Sequence, residues 1–527
     1  MKKSRWFMLC MIGLLMVQLI AVFWFGTQKQ GFHYDEYYSY YSSNVTYALV
    51  PTDMEWKDTS EIRSEFMALE GEGLGLGMVR LMQSLDVHPP LYYYLLRLVC
   101  WLSPGIFSKW QGLFINIVFF VLSWLTLAAI TKEISDGDTK KILAVCALFG
   151  FSPAIFSGVM FIRMYMLLTF VCLLILYVHI RAIMSGKRMV KGFYLPVCFL
   201  SFVGFYIHYY FAVFLFFLAA AVTLYLFFHK ESRKESFLYA GSVFVGLAVS
   251  VLVYPACLSH IFRGYRGTEA QDAFLDLGNI GERFSFFFDL TNEYVFGNML
   301  IVLLLCLILL ALTVHVMKKR FIISNPKRLS LELLLIVSVG YFFVVAKTAL
   351  LNAEEAIRYE MPVYGLLMIL VVFGLGECLE FFANEKNKRI LSVLFAGMIC
   401  LTIVSEIVSL AKGKVCFLYP QDRENIAWAA EHRDEAVVYI YNPVNKWMIW
   451  DEAGELMQYE QIYFVSSENE TVNADGRLSK EDVVYVYVMR GKDEENALQK
   501  LETEHGGFEK KELVRKLLYC DLYKLNR

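Results

Sequence analysis

Ten long apolar runs, separated by short charged segments, decide what this chain can become. A helix needs roughly 20 apolar residues to cross a bilayer. The runs cover residues 7–25, 110–130, 142–162, 164–182, 193–228, 237–259, 295–317, 329–346, 360–376 and 390–410. At about 1.5 Å per residue, the run 193–228 overshoots one crossing, so it reads as a hairpin of two spans turning at His208-Tyr209-Tyr210. That predicts about eleven spans. Only 19% of the 527 residues are charged and mean hydropathy is +0.48, against about 25% charged in soluble proteins. The chain therefore reads as a mainly α, polytopic membrane protein. Its net charge of −2 gives no basis for a nucleic-acid partner. Membrane lipids are its surroundings.

The first run follows Met1-Lys2-Lys3-Ser4-Arg5 with no small-residue cleavage site behind it, so it reads as an uncleaved span. Leu91–Ser103 is too short to cross and contains Arg97, so it reads as an interfacial helix. With the N-terminus inside, segments 1–5, 131–141, 181–192, 229–236, 317–329 and 383–389 hold 21 Lys and Arg in 56 residues. The outside loops 26–109, 163, 258–294 and 347–359 and the turn 208–210 hold 12 in more than twice that length. This asymmetry places the C-terminus outside.

Two modules follow, 1–411 in the membrane and 412–527 outside. The first outside loop, 26–109, is rich in Tyr and carboxylates. Its GEGLGLG stretch at 71–77 lacks the Lys-Ser/Thr of a phosphate loop and reads as a flexible segment. The glycine-bearing loop 258–294 reads as a mobile lid. In the tail, strand-like runs Ala436–Tyr441, Gln461–Val465 and Val483–Met489 alternate with helix-like stretches 422–433 and 493–504, which predicts a small α/β domain. Cys416 and Cys520 are the two cysteines of that tail. They are either a disulfide of the oxidising compartment or two separate thiols.

Ionisable groups at membrane depth are costly and mark function by default. Asp35 and Glu36 follow the first span in GFHYDEYYSY (31–40), where one carboxylate could act as a general base and the other as its partner. His88 precedes Pro89-Pro90 at the membrane surface. Arg163 is the single charge between two apolar runs, and Arg358-Tyr359 opens another run. His208 and Tyr209 occupy the hairpin turn. A guanidinium at such depth needs an anion, and a lipid phosphate fits.

In this order, the carboxylate pair after span one, the HPPLYY segment, Arg-Met-Tyr, His-Tyr-Tyr and Arg-Tyr-Glu-Met-Pro resemble the family-39 glycosyltransferases of the GT-C fold. The relatives of that family include the protein O-mannosyltransferases and the lipid A aminoarabinose transferases. The resemblance covers about residues 1–410. It implies an inverting transferase that takes a sugar from a polyprenyl-phosphate donor. The acceptor would be a lipid, an envelope glycan or a protein. The site would lie on the outer face of the cytoplasmic membrane, and the source would be bacterial. It makes Asp35 the leading catalytic carboxylate; the chemistry adds Glu36 as its catalytic partner and His88, Arg163, His208, Tyr209, Arg358 and Tyr359 as candidates for binding the donor phosphate. In the aminoarabinose branch a Lys stands where this chain has His88, and a Glu with an implied metal ligand role stands at Val87. The resemblance thus names no metal ligand and assigns no cofactor, with a divalent metal left open. The tail resembles the small extracytoplasmic domain of bacterial members. The rival reading is a transporter or lipid flippase, which inverted repeats and broken midplane helices would support. No internal repeat is visible, and the charges crowd one face.

Overall fold

The computed structural model of the protein describes residues 2–44, 52–185, 191–228, 233–316, 324–384, 386–471, 476–491, 494–504, 508 and 510–527. Parts of five segments expected inside, residues 1, 186–190, 229–232, 317–323 and 385, lie outside the described residues. The chain divides into two compact units. One comprises Met1–Gly26, Gln83–Tyr92 and Leu113–Cys416, and the other Thr27–Met82, Tyr93–Gly112 and Phe417–Arg527.

The first unit is the helical membrane body, and all ten apolar runs fall on helices. Among the described residues, eight helices are long and apolar enough to cross a membrane uninterrupted. Two expected spans are bent, and an eleventh, Lys191–Phe205, has only 15 residues with Pro196 inside it. The run 142–162 breaks by 53° between Thr139–Phe151 and Pro153–Met160. Pro153 causes the break. It forces Ser152 into the extended region (ψ 124°) and then starts the next helix at its first turn. The second bend, 98°, precedes Leu300. Its corner uses left-handed backbone at Gly297 (φ +56°) and Asn298 (φ +69°). A Cβ on Gly297 would meet the backbone of Ser405 and Glu406 at 2.8 Å, so glycine is required there.

The segment 258–294 corrects one expectation. It is not an open loop. Ala256–Phe262, Tyr265–Leu275 and Ile280–Leu290 are helices, the first started by Pro255.

The second unit is built on a six-stranded sheet ordered β1-β3-β2-β4-β6-β5. The strands are β1 (Glu55–Asp58), β2 (Ala436–Tyr441), β3 (Gln461–Ser466), β4 (Val483–Met489), β5 (Lys510–Lys516) and β6 (Cys520–Asn526). β2 runs parallel to β3 and β4, and the remaining pairs are antiparallel. Val438, Ile440, Val484, Val486 and Val488 pack on one face with Leu498 and Leu501 of helix Glu494–Glu504. On the other face Trp428 of helix Asp422–Glu431 meets Tyr485 edge-on at 5.1 Å. Burial on both faces explains why β2 and β4 read as continuous apolar runs without alternation. Beyond the expected module 412–527, this unit takes most of the loop 26–109. β1, from that loop, pairs with β3 along its whole length.

Two smaller expectations resolve in side-chain detail. The GEGLGLG stretch is tied down. Arg97, 3% exposed, hydrogen-bonds Leu74 O, Gly73 O, Glu72 Oε2 and Asn44 Oδ1 at 2.9–3.2 Å. That network satisfies the charge in the short apolar helix Leu91–Trp101. Cys416 and Cys520 are free thiols, with Cys416 at 3.8 Å from Glu354 O.

The Lys/Arg asymmetry yields a direct test on two exposed positions, Ser60 and Lys140. In intact cells a membrane-impermeant thiol reagent is expected to label Ser60→Cys and to spare Lys140→Cys. The reverse pattern would invert the topology.

Candidate functional site

The span Arg5–Gln28 is followed by a tight turn and the helix Tyr34–Asn44, which carries Asp35 and Glu36 in its first turn. The two carboxylates have different surroundings. Glu36 is fully buried. Its Oε2 accepts from Lys29 Nζ at 2.8 Å and from the His33 N–H at 2.7 Å. Lys29, also fully buried, donates to Phe417 O at 2.6 Å and lies over the rings of Phe32 and Tyr419. Phe417 and Tyr419 both adopt left-handed backbone (φ +67° and +48°) to close this site. Burial pulls the Lys29 ammonium below its ordinary pKa, with Glu36 and Asp422 pulling the other way.

Asp35 keeps 28% of its side chain exposed. Its N–H donates to His33 Nδ1 at 3.0 Å, so the His33 proton sits on Nε2. A carboxylate in the first turn also gains from the helix dipole. Gly31 lets Asp422 approach this turn, since a Cβ there would fall 1.7 Å from Asp422 Oδ2. Burial, with Asp451 and Glu455 adding repulsion, lifts the Asp422 carboxyl to about 7.

In the first unit the predicted donor residues meet at helix breaks. Arg163 lies between helices Pro153–Met160 and Tyr165–Ser185 and is 4% exposed. Asn116 holds that break open by donating to Val159 O at 3.0 Å and Phe161 O at 2.6 Å. Arg163 Nη2 stands 3.3 Å from His88 Nε2. From there a chain of rings runs His88–His208 (5.9 Å), His208–Tyr165 (5.6 Å) and Tyr165–Tyr359 (5.9 Å). Arg358, 2% exposed, ends the chain, its guanidinium 4.9 Å from the Tyr359 ring and 5.1 Å from the Phe161 ring. It also approaches Glu355 Oε2 at 3.4 Å. Burial, reinforced by His88 and Arg163, drives the His208 imidazole well below its ordinary pKa, so it is neutral.

Tyr209 departs from the expectation. Its hydroxyl meets His260 Nδ1 at 2.8 Å, while His260 Nε2 faces Ser84 O at 3.3 Å. It thus engages the helix after Pro255, whereas His208 joins the ring chain. Sequence reasoning missed Asp86, whose carboxylate lies 2.9 Å from His88 Nδ1, and His260, and quoted Tyr165 only within the Arg-Met-Tyr motif, without a role. Asp86 carried a readable signal, an acid two residues ahead of His88 in a Pro-Pro segment. His260 carried none, because its relation to Tyr209 depends on the Pro255 break.

Among the described residues, no group of three or more His, Cys, Asp or Glu side chains could hold a metal ion. The metal-ligand position of the aminoarabinose branch is filled here by a buried Val87. These residues do not fit that metal.

The fold resembles solved structures. The crystal structure of ArnT from Cupriavidus metallidurans bound to undecaprenyl phosphate matches with a TM-score of 0.51 over 97% of each chain, at 10% identity. The same protein in the apo state gives 0.44, also at 10% identity, over 92% of this chain and 96% of that one. No family model and no curated protein matches the sequence. The likeness fixes the fold: a GT-C-type bundle of membrane helices joined to a small sheet unit.

Proposed function

We propose that this chain is an integral-membrane glycosyltransferase of the family-39 kind. It would move a hexosyl or pentosyl group from a polyprenyl-phosphate donor to an extracytoplasmic lipid, glycan or protein. The observation that carries this reading is the burial of two guanidiniums, Arg163 and Arg358, in one chain of aromatic rings at broken helix ends. Arg358 has Glu355 at 3.4 Å and Arg163 has His88 at 3.3 Å; guanidiniums buried this deeply beside helix breaks suit an anionic ligand. The fold-level relative, described as bound to undecaprenyl phosphate, supports a lipid phosphate as that group.

In the chemistry proposed, the acceptor hydroxyl attacks the anomeric carbon and its proton passes to Asp35. The bond from that carbon to the phosphate oxygen breaks, and the lipid phosphate departs with the electron pair. Arg163 and Arg358 stabilise its charge, and His88, His208 and Tyr359 shape the pocket around it. Asp35 suits the base better than Glu36 because Glu36 is committed to Lys29. The site would face outward from the cytoplasmic membrane of a bacterium.

The test is mass spectrometry of envelope lipids and glycans from cells with and without the protein. Loss of one sugar from an acceptor, with accumulation of its polyprenyl-phosphate form, is the expected result. Unchanged profiles together with transmembrane movement of a solute or lipid would favour the transporter reading.

A further inference from the structure

A groove opens on the membrane body at the end that the Lys/Arg asymmetry places inside. Helices Arg5–Gln28, Thr139–Phe151 and Lys388–Ala411 enclose a cavity of about 430 Å³, within the roughly 300–1,000 Å³ that seats small ligands. Leu14, Leu143, Ala147, Ala396, Ile399 and Ile403 form its walls. Residues 392 to 403 line it along one face of the third helix, a depth of about 16 Å at roughly 1.5 Å per residue. That is about half of a hydrocarbon core of roughly 30 Å, the depth of one leaflet. Gln18, one turn beyond Leu14 and fully buried, donates to Cys146 O at 3.1 Å and ties the first helix to the second at that depth.

The mouth of the groove is polar and cationic. Lys140 Nζ donates to Ser392 Oγ across it at 2.6 Å. A hydroxyl that accepts can still donate, so Ser392 offers its proton to a further oxygen. Lys388 and Arg389 stand one turn before Ser392 on the same helix face, and both are exposed. Three acids of this end turn to Lys141 instead. Asp138, Glu377 and Glu380 lie 4.0, 3.0 and 3.3 Å from its Nζ, and Glu377 also holds Lys327 at 2.6 Å. Among the described residues, Lys140, Lys388 and Arg389 make no ion pair.

We propose that this groove seats one acyl chain of an anionic diacyl phospholipid of the inner leaflet, its phosphate held at the mouth by Lys140, Ser392 and Arg389. Basic groups at a membrane surface gain from anionic headgroups. An apolar slot one leaflet deep takes the chain that follows such a headgroup, whereas a polyprenyl chain long enough to cross the bilayer overruns it. The site is separate from the transfer reading. It opens at the far end of helix Thr139–Phe151 from the break at Ser152.

Native mass spectrometry of the detergent-purified full chain, titrated with phosphatidylglycerol or phosphatidylcholine, tests the site. Wild type is expected to retain one phosphatidylglycerol about tenfold more tightly than phosphatidylcholine. The exposed pair Lys140→Gln with Arg389→Gln should weaken phosphatidylglycerol by about 25-fold, at roughly fivefold per cation, and leave phosphatidylcholine unchanged. Ala396→Phe, which fills the groove from an exposed position, should weaken both lipids without lowering the melting temperature. Lys132→Gln, exposed at the same end but outside the groove, should change neither. Equal retention of the two lipids by wild type would overturn the site. So would unchanged phosphatidylglycerol binding in the double variant or in Ala396→Phe, or an equal loss in Lys132→Gln. Stronger retention of polyprenyl phosphate than of phosphatidylglycerol would overturn it as well. None of these outcomes bears on sugar transfer, which the envelope profile decides.

Discussion

Replacing Asp35 by Asn is expected to lower sugar transfer by about 10²- to 10⁴-fold with the fold intact. The expectation follows from the contrast between two adjacent carboxylates. Glu36 is fully buried and spends its charge on Lys29 and the His33 N–H. Asp35 sits in the same helical turn with part of its side chain open to a reactant. Asn preserves the shape of Asp35 and can still take part in local hydrogen bonds, but it cannot accept a proton from an attacking hydroxyl. The measurement is single-turnover transfer in proteoliposomes, beside a size-exclusion profile to show that the variant is folded. A folded Asp35→Asn protein with near-normal turnover would place the base elsewhere. A greater loss at turnover from Glu36→Gln, at equal stability, would exchange the roles of the two residues.

Lys29→Met is expected to cost about 3–5 kcal/mol of stability, because it strands the Glu36 carboxylate in the interior. Lys29 and Glu36 are each fully buried, and the pair is closed at 2.8 Å. Removing the cation also removes its pull on Asp422, which burial and neighbouring acids already lift to about 7. That carboxyl would rise further and the turn around Gly31 would loosen. The double change Lys29→Met with Glu36→Gln should restore much of the loss, since no uncompensated charge then remains. Thermal unfolding of detergent-purified protein, followed by tryptophan fluorescence, gives the comparison. If the single variant melts with the wild type, the pair does not hold this turn. If the double variant is no better than the single one, the damage lies in lost packing against Phe32 and Tyr419 and not in stranded charge.

The spans were legible because length and hydropathy are sufficient for that decision. The bends were not, because a hydropathy run averages over Ser152-Pro153 and over Gly297-Asn298, where backbone chemistry decides. In the sheet unit the central strands β2, β3 and β4 were legible as apolar runs. The outer strands were hidden for a physical reason. β1 reads Glu-Trp-Lys-Asp and β5 begins Lys-Lys-Glu, the charged character that edge strands use against unwanted pairing. At the site, His88, Arg163, His208, Arg358 and Tyr359 were marked by the cost of polarity at membrane depth. Tyr165 was quoted only as part of the Arg-Met-Tyr motif and His260 not at all, since a tyrosine near a span end and a histidine in a short helix are common. Their contacts come from how the broken helices return.

The pairing of β1 with β3 sets an order of assembly. Trp56 stands opposite Tyr463, a partner 407 positions further along the chain. During synthesis the N-terminal part emerges first. Residues 52–82 must therefore wait, with Trp56 and Phe66 uncovered, until β3 and its neighbours have been made. Ribosome-stalled or truncated chains ending near 411 would expose that segment to proteases. The tail expressed alone would offer the bare edge of β3 to any passing strand. Assembly of this sheet thus depends on strands made about 400 residues apart.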